Sequence, residues 1–226
     1  MPVGTFINIA AVLIGGTLGL LLRKSFPQNI KTIVFQGLGL CTLLIGMQMA
    51  LQVKDPLILI FSILIGGVLG ELVRLDKRIE TLSDALKSKL KFKDQGFTEG
   101  LVTAFLIFCI GSMTIVGALN EGISGDKSLL LTKSMLDGFT SIALASTFGV
   151  GVLFSVIPML VVQGGITVFA GLFQNLFSDI LLAQLTATGG VLILGIGINL
   201  LEIKTIKVIN LLPSLLAVLI LTSLLL

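Results

Sequence analysis

Apolar stretches long enough to cross a bilayer recur from one end of this chain to the other, with so few charges between them that no water-soluble surface can be assembled. A spanning helix needs about 20 consecutive apolar residues. Segments of that kind fall at residues 3–22, 30–52, 56–73, 100–119, 137–157, 160–177, 182–201 and 208–226. Only 12% of the residues are charged and 55% are hydrophobic, with a mean hydropathy of +1.12, well outside the range of soluble domains. The fold these numbers predict is all-α, a polytopic transmembrane helical bundle of about eight spans, with seven as the alternative. One transmembrane domain uses residues 1–226. The sixth segment is the weakest, being short and broken by Gln163-Gly164-Gly165 and Gln174-Asn175, so it reads as a half-helix, a re-entrant piece or an interfacial helix. The first, Val3 to Leu22, has no basic leader and runs into Arg23-Lys24 without an Ala-x-Ala site, and reads as a retained span rather than a signal peptide.

Basic residues test the count, because cytoplasmic loops of membrane proteins carry the excess of Lys and Arg. With the N-terminus outside and eight spans, twelve of the fifteen basic residues fall on the inner side, and only Lys54, Lys127 and Lys133 fall on the outer. Seven spans would move Lys204 and Lys207 outside. Both termini are therefore expected to face outward. The net charge of +3 is explained by these loops and does not argue for nucleic acid as a partner. The long loop, residues 74–98, spaces Leu75, Ile79, Leu82, Leu86 and Leu90 by three and four with lysines between them. That spacing predicts an amphipathic helix able to lie on the inner leaflet or to pack on neighbouring loops.

Two glycine motifs suggest duplication. Ile14-Gly15-Gly16-Thr17-Leu18-Gly19 with Arg23 resembles Ile65-Gly66-Gly67-Val68-Leu69-Gly70 with Arg74, at a constant offset of 51 residues. Each is followed by a span bearing Ile-Gly and then polar or sulfur-bearing residues, Ile45-Gly46-Met47-Gln48 and Ile110-Gly111-Ser112-Met113. Ile196-Gly197-Ile198-Asn199 is a third variant in a span of opposite direction, the pattern an inverted repeat would leave. Gly15 with Gly19 and Gly66 with Gly70 have the spacing that lets helix backbones approach closely in lipid.

Polar groups inside spans carry more information, since hydrocarbon offers them no water. Gln48, Ser112, Thr114, Gln163 and Asn199 are the candidate lining of a substrate or ion pathway, with Glu71 near the inner end of the third span. Their alternative role is hydrogen bonding between helices, worth about 0.5–2 kcal/mol per pair. Lys133 and Asp137, four apart where the fifth span is expected to begin, form a candidate gate or coupling ion pair, or else a cap on that helix.

Enzyme chemistry finds no support. Histidine is absent, which removes imidazole ligation, histidine proton relays and serine–histidine hydrolysis. Gly-x-Ser-Gly at residues 122–125 lies in a polar loop with nothing to activate Ser124. Asp137 and Asp179 both fall at expected membrane edges, and no nucleotide-binding glycine pattern stands in the right context. Cys41 and Cys109 lie in apolar segments without metal or redox spacing. No cofactor and no metal are expected.

The stretch Cys109-Ile110-Gly111-Ser112-Met113, Gly117, Gly125-Asp126, Leu130, Lys133-Ser134, Leu136-Asp137-Gly138, Gly149-Val150-Gly151-Val152, Ser155 and Gln163-Gly164 resembles the signature of the YdfK/YqgA-like family of uncharacterised bacterial multi-pass membrane proteins. The closing segment, with Ile198-Asn199-Leu200-Leu201 and Asn210-Leu211-Leu212-Pro213, resembles it too. The resemblance implies the bacterial cytoplasmic (inner) membrane, supplies no substrate, and singles out Ser112, Lys133, Asp137 and Gln163.

The sequence thus points to a secondary transporter or channel-like permease for a small solute or ion, its pathway lined by the second, fourth, fifth, sixth and seventh spans. The alternative is a structural or regulatory membrane protein that recruits a partner or lipid through the basic 74–98 loop. The expected partners are the lipid bilayer and a small solute or ion, and a homo-oligomer is compatible with the sequence.

Overall fold

In hydrocarbon each backbone N–H and C=O must find its partner within its own segment, so the long apolar runs become helices. The computed structural model describes residues 1–25, 28–79, 81, 96–110, 112–173 and 178–225, and no strand occurs among them. The helices are α1 (Val3–Ser25), α2 (Gln28–Ala50), α3 (Pro56–Leu72), α4 (Phe97–Cys109), α5 (Ser112–Ser124), α6 (Ser128–Phe148), α7 (Gly151–Val168), α8 (Ala170–Phe173), α9 (Asp179–Leu200) and α10 (Val208–Leu225). Among the described residues α1, α7, α9 and α10 are long and apolar enough to cross a membrane; α4 and α5, bent by 57° at their junction, make a fifth span if taken together. The predicted amphipathic helix of residues 74–98 falls mostly outside the described residues; residues 75–79 are helical.

Helix ends follow local chemistry. Asp55 caps α3, accepting from the N–H groups of Leu57 at 2.8 Å and Ile58 at 3.3 Å, with Pro56 in the first turn. Gly149, at φ 85°, ends α6 in a conformation that costs other residues dearly. This stop corrects the expected boundaries of the fifth and sixth segments. The fifth helix occupies Ser128–Phe148 rather than 137–157, and the sixth begins at Gly151 rather than at 160. Hydropathy misplaced both because Lys133 and Asp137 lower the average inside α6, whereas Gly149-Val150-Gly151 lies in an apolar stretch.

The chain forms two compact units. In the first, residues 1–34 and 99–178, α1 and α6 run parallel: Gly4 lies at Leu130, Asn8 at Asp137, and Gly19 at Ala145. A Cβ on Gly15 would collide with the Gly138 carbonyl and Ser141 Oγ, and one on Gly19 with the Ile142 carbonyl. The missing side chains are what let the two backbones touch. α7 runs antiparallel to α1, placing Gly164 beside Thr5 and Leu153 beside Gly16. α4 and α5 ascend the other way past α6, with Gly100 at Phe148 and Gly117 at Leu130.

In the second unit, residues 35–98 and 179–226, Gly66 and Gly70 abut the backbone of Ser214 and Asn210 on antiparallel α10, while Gly46 and Gly190 bring α2 against antiparallel α9. The two glycine motifs therefore dock on partners of opposite direction. α3 shows the environment clearly. It buries Ile58, Ser62, Gly66 and Gly70 and turns Leu57, Phe61, Leu64, Val68 and Leu72 outward. Small and polar residues inside with large apolar ones outside is the inverse of a soluble helix and the pattern lipid demands.

Candidate functional site

Four polar side chains from three helices meet in the interior of the first unit. α1 supplies Asn8, α6 supplies Lys133 and Asp137, and α7 supplies Gln163. Asn8 and Gln163 are fully buried, and Lys133 and Asp137 are each 5% exposed. The Lys133 ammonium pairs with Asp137 one turn further along α6 and lies 5.9 Å from the centre of the Phe108 ring. The Asn8 amide donates both to Asp137 Oδ2 at 2.9 Å and to Gln163 Oε1 at 3.1 Å. Lys133 and Asp137 thus stand inside a 21-residue helix, not at its beginning, and act as a buried pair instead of a cap.

Two departures from regular helix frame this network. Residues Leu160–Gly164 of α7 form a π-turn, a feature that inserts one residue per turn, re-aims the side chains around it and occurs often at functional sites; Gln163 sits in it. The α4–α5 span breaks after Cys109, and fully buried Thr114 donates from Oγ1 to the Phe108 carbonyl at 2.9 Å, reaching back across the break. One turn along α1 from Asn8, Glu121 of α5, 7% exposed, accepts the Gly4 N–H at 2.8 Å. Gln163 Nε2 and Asn8 Oδ1 have no hydrogen-bond partner among the described residues, an uncommon condition for a buried donor and a buried acceptor.

The other residues singled out from sequence do not join this cluster. Gln48 is exposed near the end of α2. Ser112 opens α5, and its side chain lies outside the described residues. Asn199 closes a loop: its Nδ2 donates to the Ile206 carbonyl at 2.8 Å, and its Oδ1 accepts the Ile206 N–H at 2.7 Å. Glu71 is mostly exposed, accepting from Lys207 Nζ at 2.7 Å and Asn210 Nδ2 at 2.6 Å. The hydrogen bond and charge of Glu71 raise the Lys207 ammonium above its ordinary pKa. These contacts tie residues of the second unit together.

Asn8 and Glu121 were not singled out from sequence. Asn8 had one signal, an amide in the first turns of an otherwise apolar stretch. Glu121 lies two residues past the expected end of the fourth segment, 100–119. In the second unit, fully buried Gln184 holds the α2–α3 turn, accepting from Lys54 N and Asp55 N at 3.0 and 3.3 Å and donating to the Asp55 carbonyl at 2.8 Å; nothing local in the sequence marks that contact.

Apolar faces turned outward around a buried, charged and amide-rich interior define the class: a helical integral membrane protein with a polar interior site. The family model described as "Protein of unknown function (DUF554)" matches residues 3–223, and the chain belongs to that family. It is 37% identical over 217 residues, 94% of this chain and 92% of the relative, to "Uncharacterized membrane protein YdfK" of Bacillus subtilis (strain 168). It is 34% identical over 221 residues, 96% of this chain and 94% of the relative, to "Uncharacterized protein YqgA" of Escherichia coli (strain K12). No solved structure matches.

Proposed function

We propose that this protein is a secondary transporter or channel-like permease for a small polar solute or ion, and that the first unit holds the site. The observation that carries the proposal is the buried Asn8–Lys133–Asp137–Gln163 network, set at a π-turn beside a broken helix and retaining an unpartnered amide donor and acceptor. Intramembrane charges are costly and concentrate where a solute or ion is handled. Interrupted helices are tolerated at membrane depth where they line such a site. Lys133 and Asp137 together carry no net charge and offer both a cation and an anion to a polar or zwitterionic solute, while the two amides fix its orientation. No bond-making role is assigned to any residue.

Eight spans, both termini outside and the bacterial cytoplasmic membrane complete the proposal. Helix directions support the count. In the first unit the first and fifth segments run parallel and the sixth antiparallel to the first; in the second unit the third and eighth, and the second and seventh, run antiparallel. Alternating spans numbered one to eight require each of these relations.

A permease must open this site to water in at least one state. With Gln163→Cys as the sole cysteine, introduced after Cys41→Ala and Cys109→Ala, a membrane-impermeant maleimide should label position 163 from one side of sealed vesicles. Complete protection from both sides in the folded protein would sink the proposal. A basic surface groove of 480 Å³ lined by Leu72, Val73, Arg74, Lys77, Arg78 and Thr81 supports the second reading, recruitment of an anionic lipid or partner at the inner face. Charge reversal at Arg74, Lys77 and Arg78 should then abolish function while labelling at 163 is unaffected.

A further inference from the structure

Three oxygen atoms with no hydrogen-bond partner among the described residues lie along the first turns of α1 in the first unit: Thr5 Oγ1, Asn8 Oδ1 and Glu121 Oε2. Gly4, Thr5 and Asn8 fall within about 100° of arc on one face of α1 at 3.6 residues per turn. The Glu121 carboxyl reaches that face from α5, accepting the Gly4 N–H through Oε1, with Oε2 3.1 Å from where an ideal Gly4 Cβ would be. Thr5 packs toward Gly164 of the π-turned α7, its Cγ2 lying 3.7 Å from where a Gly164 Cβ would be. Buried hydroxyls elsewhere satisfy themselves on the carbonyl four residues back, as Ser62, Ser134, Thr167 and Thr188 do. Thr5 does not. Thr147, Thr186 and Thr222 also lack partners, but none of them is accompanied by a carboxylate oxygen in the same condition.

Charge points the same way. The Lys133 ammonium is already matched by Asp137, so a cation for the Glu121 carboxyl, 7% exposed, must come from outside that pair. An uncompensated buried charge is expensive. One carboxylate oxygen with neutral hydroxyl and amide oxygens is a hard, singly charged donor set. Divalent cations ordinarily demand more carboxylates.

We propose that Glu121, Thr5 and Asn8 form a binding site for one monovalent alkali cation. The cation neutralises Glu121 beside the Asn8–Gln163 amides, so that its occupancy sets the position of Asn8, which also holds Asp137. Its role as a coupling ion rests on the permease reading; its binding does not.

The test is binding of radioactive sodium to the purified full-length protein in detergent, with potassium as competitor. The expected result is saturable binding of one ion per chain, displaced by unlabelled sodium or potassium, lost in Glu121→Gln, weakened about tenfold in Thr5→Val, and retained in Glu202→Gln. Protection of buried Cys109 from a thiol reagent checks that each variant is folded. If Glu121→Gln does not fold, the Thr5→Val shift decides. No saturable binding to folded wild type, or identical binding in folded Glu121→Gln and Thr5→Val, overturns the site. Sodium binding without any solute movement would sink the permease reading alone, and solute movement without sodium binding would sink the ion site alone.

Discussion

Replacing Asp137 with Leu leaves the Lys133 ammonium buried at 5% exposure with its carboxylate partner gone and deprives the Asn8 amide of one of its two acceptors. Breaking a buried ion pair from one side costs about 3–5 kcal/mol, and for a chain of this size each kcal/mol lowers the melting temperature by about 2–4 °C. The expected fall is therefore about 6–20 °C. Lys133→Met with Asp137→Leu removes both charges and restores an apolar fill. The lost Asn8 hydrogen bond alone leaves the double variant within about 1–2 kcal/mol of wild type, so the coupling between the two sites is large and of opposite sign to the single effects. The protein has no Trp and no Tyr, but it has two cysteines, Cys41 exposed and Cys109 buried at the end of α4. In a Cys41→Ala background, a thiol-reactive dye on Cys109 reports opening of the first unit during a thermal ramp. If Asp137→Leu melts within about 0.5 kcal/mol of wild type, as an indifferent surface change would, or if the double variant is as damaged as the single, the pair is not buried as described.

Three further outcomes follow from the packing. Gly70→Val drives a Cβ into the Asn210 carbonyl and should cost about 2–3 kcal/mol, read by thermal melting followed with far-ultraviolet circular dichroism. Asn199→Leu removes both hydrogen bonds to Ile206 and should destabilise by about 1–3 kcal/mol while leaving solute movement intact; lost movement at unchanged stability would return Asn199 to the pathway. The Ser128 hydroxyl and N–H hold the Asp126 carboxyl below its ordinary pKa. This contribution is complete above the unfolded pKa of about 3.9 and disappears as pH falls through the lower folded value. Carboxyl NMR titration should show the depressed pKa, and Ser128→Ala should return it toward 3.9.

How much was legible in advance depended on whether the signal was local. Hydropathy found the apolar helices because a helix in lipid is a one-segment property. The spacing of Gly15 with Gly19 and Gly66 with Gly70 pointed to close backbone approach because small residues have no other reason to recur on one face. Gln163 stood out as a polar group in apolar surroundings, and Lys133 with Asp137 as an ion pair four apart at the expected edge of the fifth span. Their meeting with Asn8 did not, since residues 8, 137 and 163 are joined only by the parallel docking of α6 and the antiparallel return of α7. Gln48 and Asn199 carried the same local signal as Gln163, yet one lies exposed and the other closes a loop. An amide within a span says that a partner is needed, not which one. Glu121 was lost to a boundary error of a few residues, because its charge lowered the average over the helix that carries it.

The most direct test of the central claim is charge movement recorded from proteoliposomes of the purified protein on a solid-supported membrane. The external buffer is exchanged for small organic acids, amino acids and sugars, each with sodium and with choline. The expected result is a saturable signal for at least one of these solutes that disappears in Asp137→Asn and Gln163→Leu and survives in Asn199→Leu. Currents equal to those of empty liposomes for every solute, or a signal that Asp137→Asn and Gln163→Leu leave unchanged, would contradict it.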